Sequence, residues 1–152
     1  MKLLPLSLVA LGVIVGCSSD PQPVTSSSKS DGGGTATGPA TFKDGVMPIL
    51  SESCALTACH AAAQSNLGIH ITYDAAAVYA ELQKESPTFP GLKFVVPGKP
   101  DESFLMAKMD GTHGKLPACA SGCGREMPPD DMLPEAKRDV VRKWITAGAK
   151  ND

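Results

Sequence analysis

Apolar residues recur at helical spacing in four stretches between residues 41 and 149. The first stretch follows Thr41 and Asp44, a pair that resembles the start of a helix. Its apolar positions are Phe42, Val46, Ile49 and Leu50. Pro48 lies inside this stretch and should kink the helix or end its first part. The pattern therefore predicts an N-terminal helix that leads directly into Cys54.

Three further helices are predicted downstream. Asp74 should cap a helix over residues 75–82, and Pro100 should open a helix that Gly111 ends, with acidic residues in its first turn. The last helix should start at Pro134, because proline is favoured in a first turn. Its apolar stripe consists of Val140, Val141, Trp144 and Ile145. We expect this helix to pack across the first one, which predicts an all-α fold.

The segments between these helices include one short extended piece and one long loop. Leu67, Ile69 and Ile71 alternate with other residues, which predicts a short extended piece, and we expect His70 to face solvent. Residues 112–133 form a long irregular stretch. A loop of this length in a small domain usually has a function.

The N-terminal residues are typical of an exported lipoprotein. A basic Lys2 precedes an apolar run that ends at Val15, too short for a membrane span and right for the core of a signal peptide. The following Cys17 resembles the lipidated residue of a bacterial lipobox, and Ser18 after it favours the outer membrane. The sequence predicts a signal peptide at residues 1–16, a disordered Ser/Gly/Thr/Pro tether at 17–40 and one domain at 41–152.

Composition narrows the function further. The chain of 152 residues is enough for one modest domain, and its net charge of -2 argues against a nucleic-acid partner. Aromatic residues make up only 5% of the chain, which predicts a thin core. A buried porphyrin would supply the missing apolar bulk.

The most informative motif is Cys54 and Cys59 just ahead of His60. In covalent haem attachment, two cysteine thiols add to the haem vinyl groups and the histidine after the second thiol binds iron. The common motif has two residues between the cysteines, whereas this chain has four. The motif predicts one covalent haem c. The alternative is a Cys54–Cys59 disulfide with His60 as an ordinary surface residue.

Counting the cysteines supports this assignment. The chain has five cysteines. If Cys17 carries lipid and Cys54 and Cys59 carry haem, then Cys119 and Cys123 remain. In an oxidising compartment two cysteines this close in sequence predict a disulfide.

A six-coordinate haem needs a second ligand opposite His60. The candidates are Met47, Met106, Met109, Met127, Met132, His70 and His113. Met127 is favoured because two prolines follow it, which hold its backbone extended and stiffen the loop that carries its thioether. Met132 and His113 are the reserves, and Met106 and Met109 are expected to pack in the core.

Taken together, these motifs resemble a small class I cytochrome c domain of bacterial lipoproteins. The resemblance covers residues 41–149 and is carried by the following fragments: Val46-Met47-Pro48-Ile49-Leu50, the Cys54/Cys59/His60 motif, Val96-Pro97-Gly98-Lys99-Pro100, Ser103-Phe104-Leu105, Gly124-Arg125-Glu126-Met127-Pro128-Pro129 and Trp144-Ile145-Thr146-Ala147-Gly148-Ala149. It implies short helices around one haem, crossed N- and C-terminal helices, and electron transfer. It also implies thioether anchors at Cys54 and Cys59, with His60 and Met127 as the iron ligands. The wide cysteine spacing departs from the family pattern, and Cys119–Cys123 is not a general family feature.

The sequence thus predicts a mono-haem electron carrier, held in the bacterial cell envelope by lipid on Cys17. It would exchange electrons with redox protein partners and would not be an enzyme, because a six-coordinate iron leaves no open site for substrate. One alternative is a haem-free, disulfide-stapled lipoprotein that acts as an interaction module. Another is a subunit of a redox enzyme, or a haem sensor in which a ligand displaces Met127.

Overall fold

The computed structural model describes residues 40–62, 68–129 and 131–152. These residues form four α-helices and no strand, which is compatible with the predicted all-α class. The helices are α1 (Met47–Ser53), α2 (Ala75–Leu82), α3 (Phe104–Met109) and α4 (Glu135–Thr146). Within this part of the chain, no helix is long and apolar enough to cross a membrane. The predicted signal peptide, Cys17 and the tether up to residue 39 lie outside the described residues.

The N-terminal helix is divided close to where proline was expected to divide it. Residues Phe42–Val46 form a π-helical turn, with Thr41 in the capping position, and α1 continues from Met47. Pro48 is the second residue of α1, a position where its missing N–H removes no helical hydrogen bond. Apolar side chains on both sides of Met47, including Phe42 and Leu50, lie in the same core.

The predicted helices α2 and α4 are confirmed. The Asp74 carboxylate accepts hydrogen bonds from the N–H groups of Ala76 and Ala77, at 2.9 and 3.2 Å, and so caps α2. Helix α4 begins at Glu135, one residue after the predicted start, because Pro134 occupies the capping position. Differences of one residue are usual at helix ends.

The predicted start of α3 at Pro100 is wrong. Pro100–Glu102 form only a 3₁₀ turn, and α3 begins at Phe104. The hydroxyl of the fully buried Ser103 donates to the Lys99 carbonyl at 2.9 Å and accepts from the Val96 N–H at 2.9 Å. These bonds hold the residues around Ser103 in a tight turn, and a continuous helix cannot form through it.

The core is centred on the only tryptophan. Trp144 of α4 is buried, and its ring centroid lies 5.3 Å from that of Phe42, which in turn makes an edge contact with Tyr79 at 5.3 Å. A Cβ atom on Gly45 would lie 3.2 Å from the Val140 side chain, so the first helical turn and α4 approach closely. The first helical segment therefore packs directly on the last helix.

The two ends of the described domain also meet. The Phe42 N–H donates to the Asp152 carboxylate at 2.9 Å, and the Lys43 N–H donates to the Asp152 backbone carbonyl at 2.9 Å. The Tyr79 hydroxyl donates to the Ala149 carbonyl at 3.0 Å. These bonds fix the last residues against the first turn of the domain.

A partly buried ion pair joins α3 to α4. Asp110, at the C-terminal end of α3, contacts Arg138 at 2.5 Å and Arg142 at 2.6 Å through its two carboxylate oxygens. The side chains of Asp110 and Arg138 are 13% and 19% exposed, so water screens the pair only weakly. The hydrogen bond to Asp110 raises the pKa of Arg142 further above its usual value. This pair holds the end of α3, and the loop that follows it, against the last helix.

Candidate functional site

The predicted haem-attachment motif folds into one compact turn at the end of α1. Cys54 occupies the helix C-cap position. Its carbonyl accepts a hydrogen bond from the His60 N–H at 3.1 Å, and the Cys59 N–H donates to the Leu56 carbonyl at 2.8 Å. The four residues between the cysteines therefore form part of the turn. The backbone of His60 contacts that of Cys54 despite the wide spacing.

The two cysteines of this turn differ in their environments. Cys54 is 8% exposed, whereas Cys59 is half-buried, and the two are not bonded to each other. Burial raises the pKa of the Cys54 thiol from 9.0 to about 11, and the nearby Cys59 sulfur adds to this effect. Cys54 is therefore a neutral thiol in the folded chain at any ordinary pH.

His60 is held by the segment that follows the turn. Its Nδ1 atom lies 3.3 Å from the Ile69 carbonyl, and its own carbonyl accepts a hydrogen bond from the Ile71 N–H at 2.8 Å. Because a carbonyl only accepts, Nδ1 is the protonated nitrogen, and the lone pair of a neutral ring is on Nε2. Metal-binding histidines usually have this arrangement, with the second nitrogen donating to a carbonyl.

The other half of the predicted site lies in the loop after α3. Cys119 and Cys123 form a disulfide with an S–S distance of 2.10 Å. Met127 is half-buried, and its N–H donates to the carbonyl of Lys108 at 3.0 Å. The Met127–Pro128 peptide bond is cis. The loop thus returns to α3 just before the two prolines.

The remaining candidate ligands have other surroundings. Met47, Met106 and Met109 are 6% exposed or less and pack in the core, whereas Met132 is 45% exposed. The His113 Nε2 atom donates to the Gly124 carbonyl at 2.8 Å, and the His113 Nδ1 atom is buried with no hydrogen-bond partner. The expectation that His70 faces solvent is wrong, because its Nε2 atom lies 2.7 Å from the Ala61 carbonyl. The His70 side chain instead connects the segment that contains it to the cysteine–histidine turn.

Sequence reasoning missed the role of Lys108. This lysine is only 8% exposed, and its ammonium group donates to the carbonyls of Cys123 and Arg125. It also lies over the Phe104 ring, 5.4 Å from the centroid. The spacing of four residues from the buried Phe104 could have revealed this, because residues i and i+4 share a helix face. Burial lowers the pKa of Lys108, while the charge of Glu126 partly offsets this shift.

Two cavities of about 330 and 300 Å³ lie elsewhere. The first lies between Pro100, Asp110 and Leu116, and the second lies beside Trp144 and Lys150. Neither is lined by the residues of the cysteine–histidine turn or by Met127. Among the described residues, no group of three or more His, Cys, Asp or Glu side chains could hold a bare metal ion.

Comparison with known proteins adds no assignment. No family model matches the chain, nor does any curated protein or solved structure.

Proposed function

We propose that this protein is a lipid-anchored c-type cytochrome that carries electrons through one covalent haem. Cys54 and Cys59 would hold the haem through thioether bonds, and His60 and Met127 would be the iron ligands. The observation that carries the proposal is the folded turn in which the His60 N–H returns to the Cys54 carbonyl. This turn keeps both thiols and the imidazole in one short segment although the cysteine spacing is wide.

The anchoring of His60 supports its role as the proximal ligand. Donation from Nδ1 to the Ile69 carbonyl would fix the plane of the ring and leave the basic lone pair on Nε2. The Ile71 N–H on the His60 carbonyl holds the backbone of the same residue. The donor chemistry of the turn therefore fits haem c.

Met127 supplies the soft ligand of the proposed pair. Its backbone is tied to α3 through the Lys108 carbonyl, and the prolines after it restrict the chain. A thioether paired with an imidazole would favour the reduced state and raise the reduction potential of the haem. With His60 and Met127 both bound to the iron, the haem would supply one-electron transfer without binding a substrate.

The lipid anchor is the second part of the proposal. It rests on the signal-peptide pattern before Cys17. Lipid on Cys17 and the Ser/Gly/Thr/Pro tether after it would hold the domain at the envelope membrane, within reach of redox protein partners. An oxidising compartment is consistent with the Cys119–Cys123 disulfide.

To test the proposal, the full chain is produced together with cytochrome maturation factors, and its intact mass and absorption spectrum are measured. We expect the intact mass to increase by one haem that survives acid denaturation, and the reduced protein to show a sharp alpha band. Replacement of Cys54 and Cys59 by serine should abolish the added mass. The matched control, replacement of Cys119 and Cys123 by serine, should retain it. A colourless wild-type protein with no added mass would overturn the proposal.

The second candidate is a haem-free interaction module, and one observation favours it. The folded chain already closes over Cys54, and neither described cavity borders the cysteine–histidine turn. A haem-free module predicts a mass without haem and, after oxidation, a second disulfide between Cys54 and Cys59. The same intact-mass measurement therefore separates the two candidates.

A further inference from the structure

Three successive backbone carbonyls in the loop after α3 are bound by two basic side chains. The Lys108 ammonium group donates to the carbonyl of Cys123, and to that of Arg125 at 2.5 Å. The His113 Nε2 atom donates to the carbonyl between them, that of Gly124, at 2.8 Å. Every carbonyl from residue 123 to residue 125 thus has a side-chain donor.

The same segment is bound again two residues later. The Met127 N–H donates to the backbone carbonyl of Lys108 at 3.0 Å. Lys108 therefore contacts the loop twice. Its side chain binds residues 123 and 125, and its backbone carbonyl binds the N–H of Met127. The disulfide at Cys123 closes the other end of the segment. The position of the Met127 backbone relative to α3 is fixed from both directions.

Burial of a lysine needs a strong compensating interaction. Removing an ammonium group from water is strongly unfavourable unless it is well hydrogen bonded, and Lys108 is only 8% exposed. The ammonium group also lies over the Phe104 ring, 5.4 Å from its centroid, a contact that favours a cation. The hydrogen bonds to the loop, together with this contact, therefore explain why a lysine is present at this position.

We propose that Lys108 and His113 are positioning residues that hold Met127 in place for iron ligation. Only the ligation of iron by Met127 rests on the proposed function. The geometry of the clamp, defined as Lys108 and His113 with the carbonyls of residues 123–125, is independent of haem.

The first test measures the clamp in the full chain made without haem. Hydrogen peroxide converts an accessible methionine to its sulfoxide, which peptide mass spectrometry locates. Lys108→Met keeps the apolar stem and removes the donors, so Met127 should oxidise at least roughly tenfold faster, the factor expected from losing only one of the two hydrogen bonds of the charged group. Lys115→Met is the matched control, because Lys115 is an exposed lysine in the neighbouring turn. The buried Met109 serves as the internal reference.

The second test uses His113 and the haem-loaded chain. His113→Gln keeps a side-chain N–H near Nε2 and should preserve slow oxidation of Met127, whereas His113→Leu should speed it. In the loaded chain, Lys108→Met should weaken the red charge-transfer band of ferric thioether ligation and lower the reduction potential. Lys108→Arg, which keeps a donor, should restore part of both.

The outcomes separate the two proposals. Equal oxidation of Met127 in wild type, Lys108→Met and Lys115→Met would overturn the clamp. So would a parallel increase at Met109, because general unfolding would then explain the result. A wild-type chain that takes up no haem would overturn the proposed function, and faster Met127 oxidation in Lys108→Met would still support the clamp.

Discussion

The buried thiol of Cys54 should be almost unreactive in the folded, haem-free chain. Alkylating reagents attack the thiolate, and burial raises the Cys54 pKa from 9.0 to about 11. At pH 8 the thiolate fraction is then about 100-fold smaller than for an ordinary cysteine. Limited access to a side chain that is only 8% exposed slows the reaction further.

The same shift predicts how stability depends on pH. The Cys54 thiol keeps its proton up to about pH 11 in the folded state, whereas in the unfolded chain it loses the proton near pH 9.0. The stabilisation that the neutral Cys54 thiol gives the folded state is therefore fully present below pH 9 and is lost as the pH rises towards 11. At 1.36 kcal/mol per pKa unit, the free energy of unfolding should fall by about 3 kcal/mol over this range.

Two measurements check these values. Alkylation of Cys54 by iodoacetamide at pH 8, followed by mass spectrometry, should be at least about 100-fold slower in the native chain than in the denatured chain. Denaturant unfolding followed by the fluorescence of Trp144 should lose more stability between pH 9 and 11 in wild type than in Cys54→Ala. Native and denatured alkylation rates within threefold of each other would refute the reasoning, as would identical pH dependence in the two chains.

Two further predictions concern stability away from the cysteine–histidine turn. Asp110→Asn should lower the free energy of unfolding by about 2 kcal/mol, less than for a fully buried pair because Arg142 is 34% exposed. Its control, Glu52→Gln, breaks an exposed pair with Lys137 and should cost less than about 1 kcal/mol, so equal losses in urea unfolding would contradict the assignment. Asp74→Ala should cost about 1 kcal/mol by removing the α2 cap, and Asp74→Asn should restore most of it. An unchanged urea midpoint in Asp74→Ala would argue against the cap.

The sequence predicted the helices whose signals are local. Helix α4 follows from its apolar stripe around Trp144, and α2 follows from Asp74, because spacing and capping act within a few residues. Helix α3 was placed too early because Ser103 bonds to Val96 and Lys99. Only the folded path of the preceding loop decides that turn, and apolar spacing carries no signal for it.

The candidate site was predictable in part. The residue types and order of Cys54, Cys59 and His60 carry their chemistry in the sequence, and so does the proline after Met127. Lys108 was harder to predict, because its partners are backbone carbonyls 15 and 17 residues away. Any residue type supplies such carbonyls, so the sequence cannot show which ones a lysine will meet. His70 was misjudged for the same reason, since its partner is the carbonyl of Ala61.

The hydrogen bonds between Asp152 and the first turn have a practical consequence for engineering. Because Phe42 and Asp152 are in contact, a short peptide could join the two ends of the domain. New chain termini could then be placed at the exposed Gly91. Such a circular permutant should fold with the same tryptophan environment. In the unpermuted chain, dyes placed beside Phe42 and Asp152 would lie close together in the folded state and separate on unfolding, giving a distance-based readout of folding that needs no cofactor.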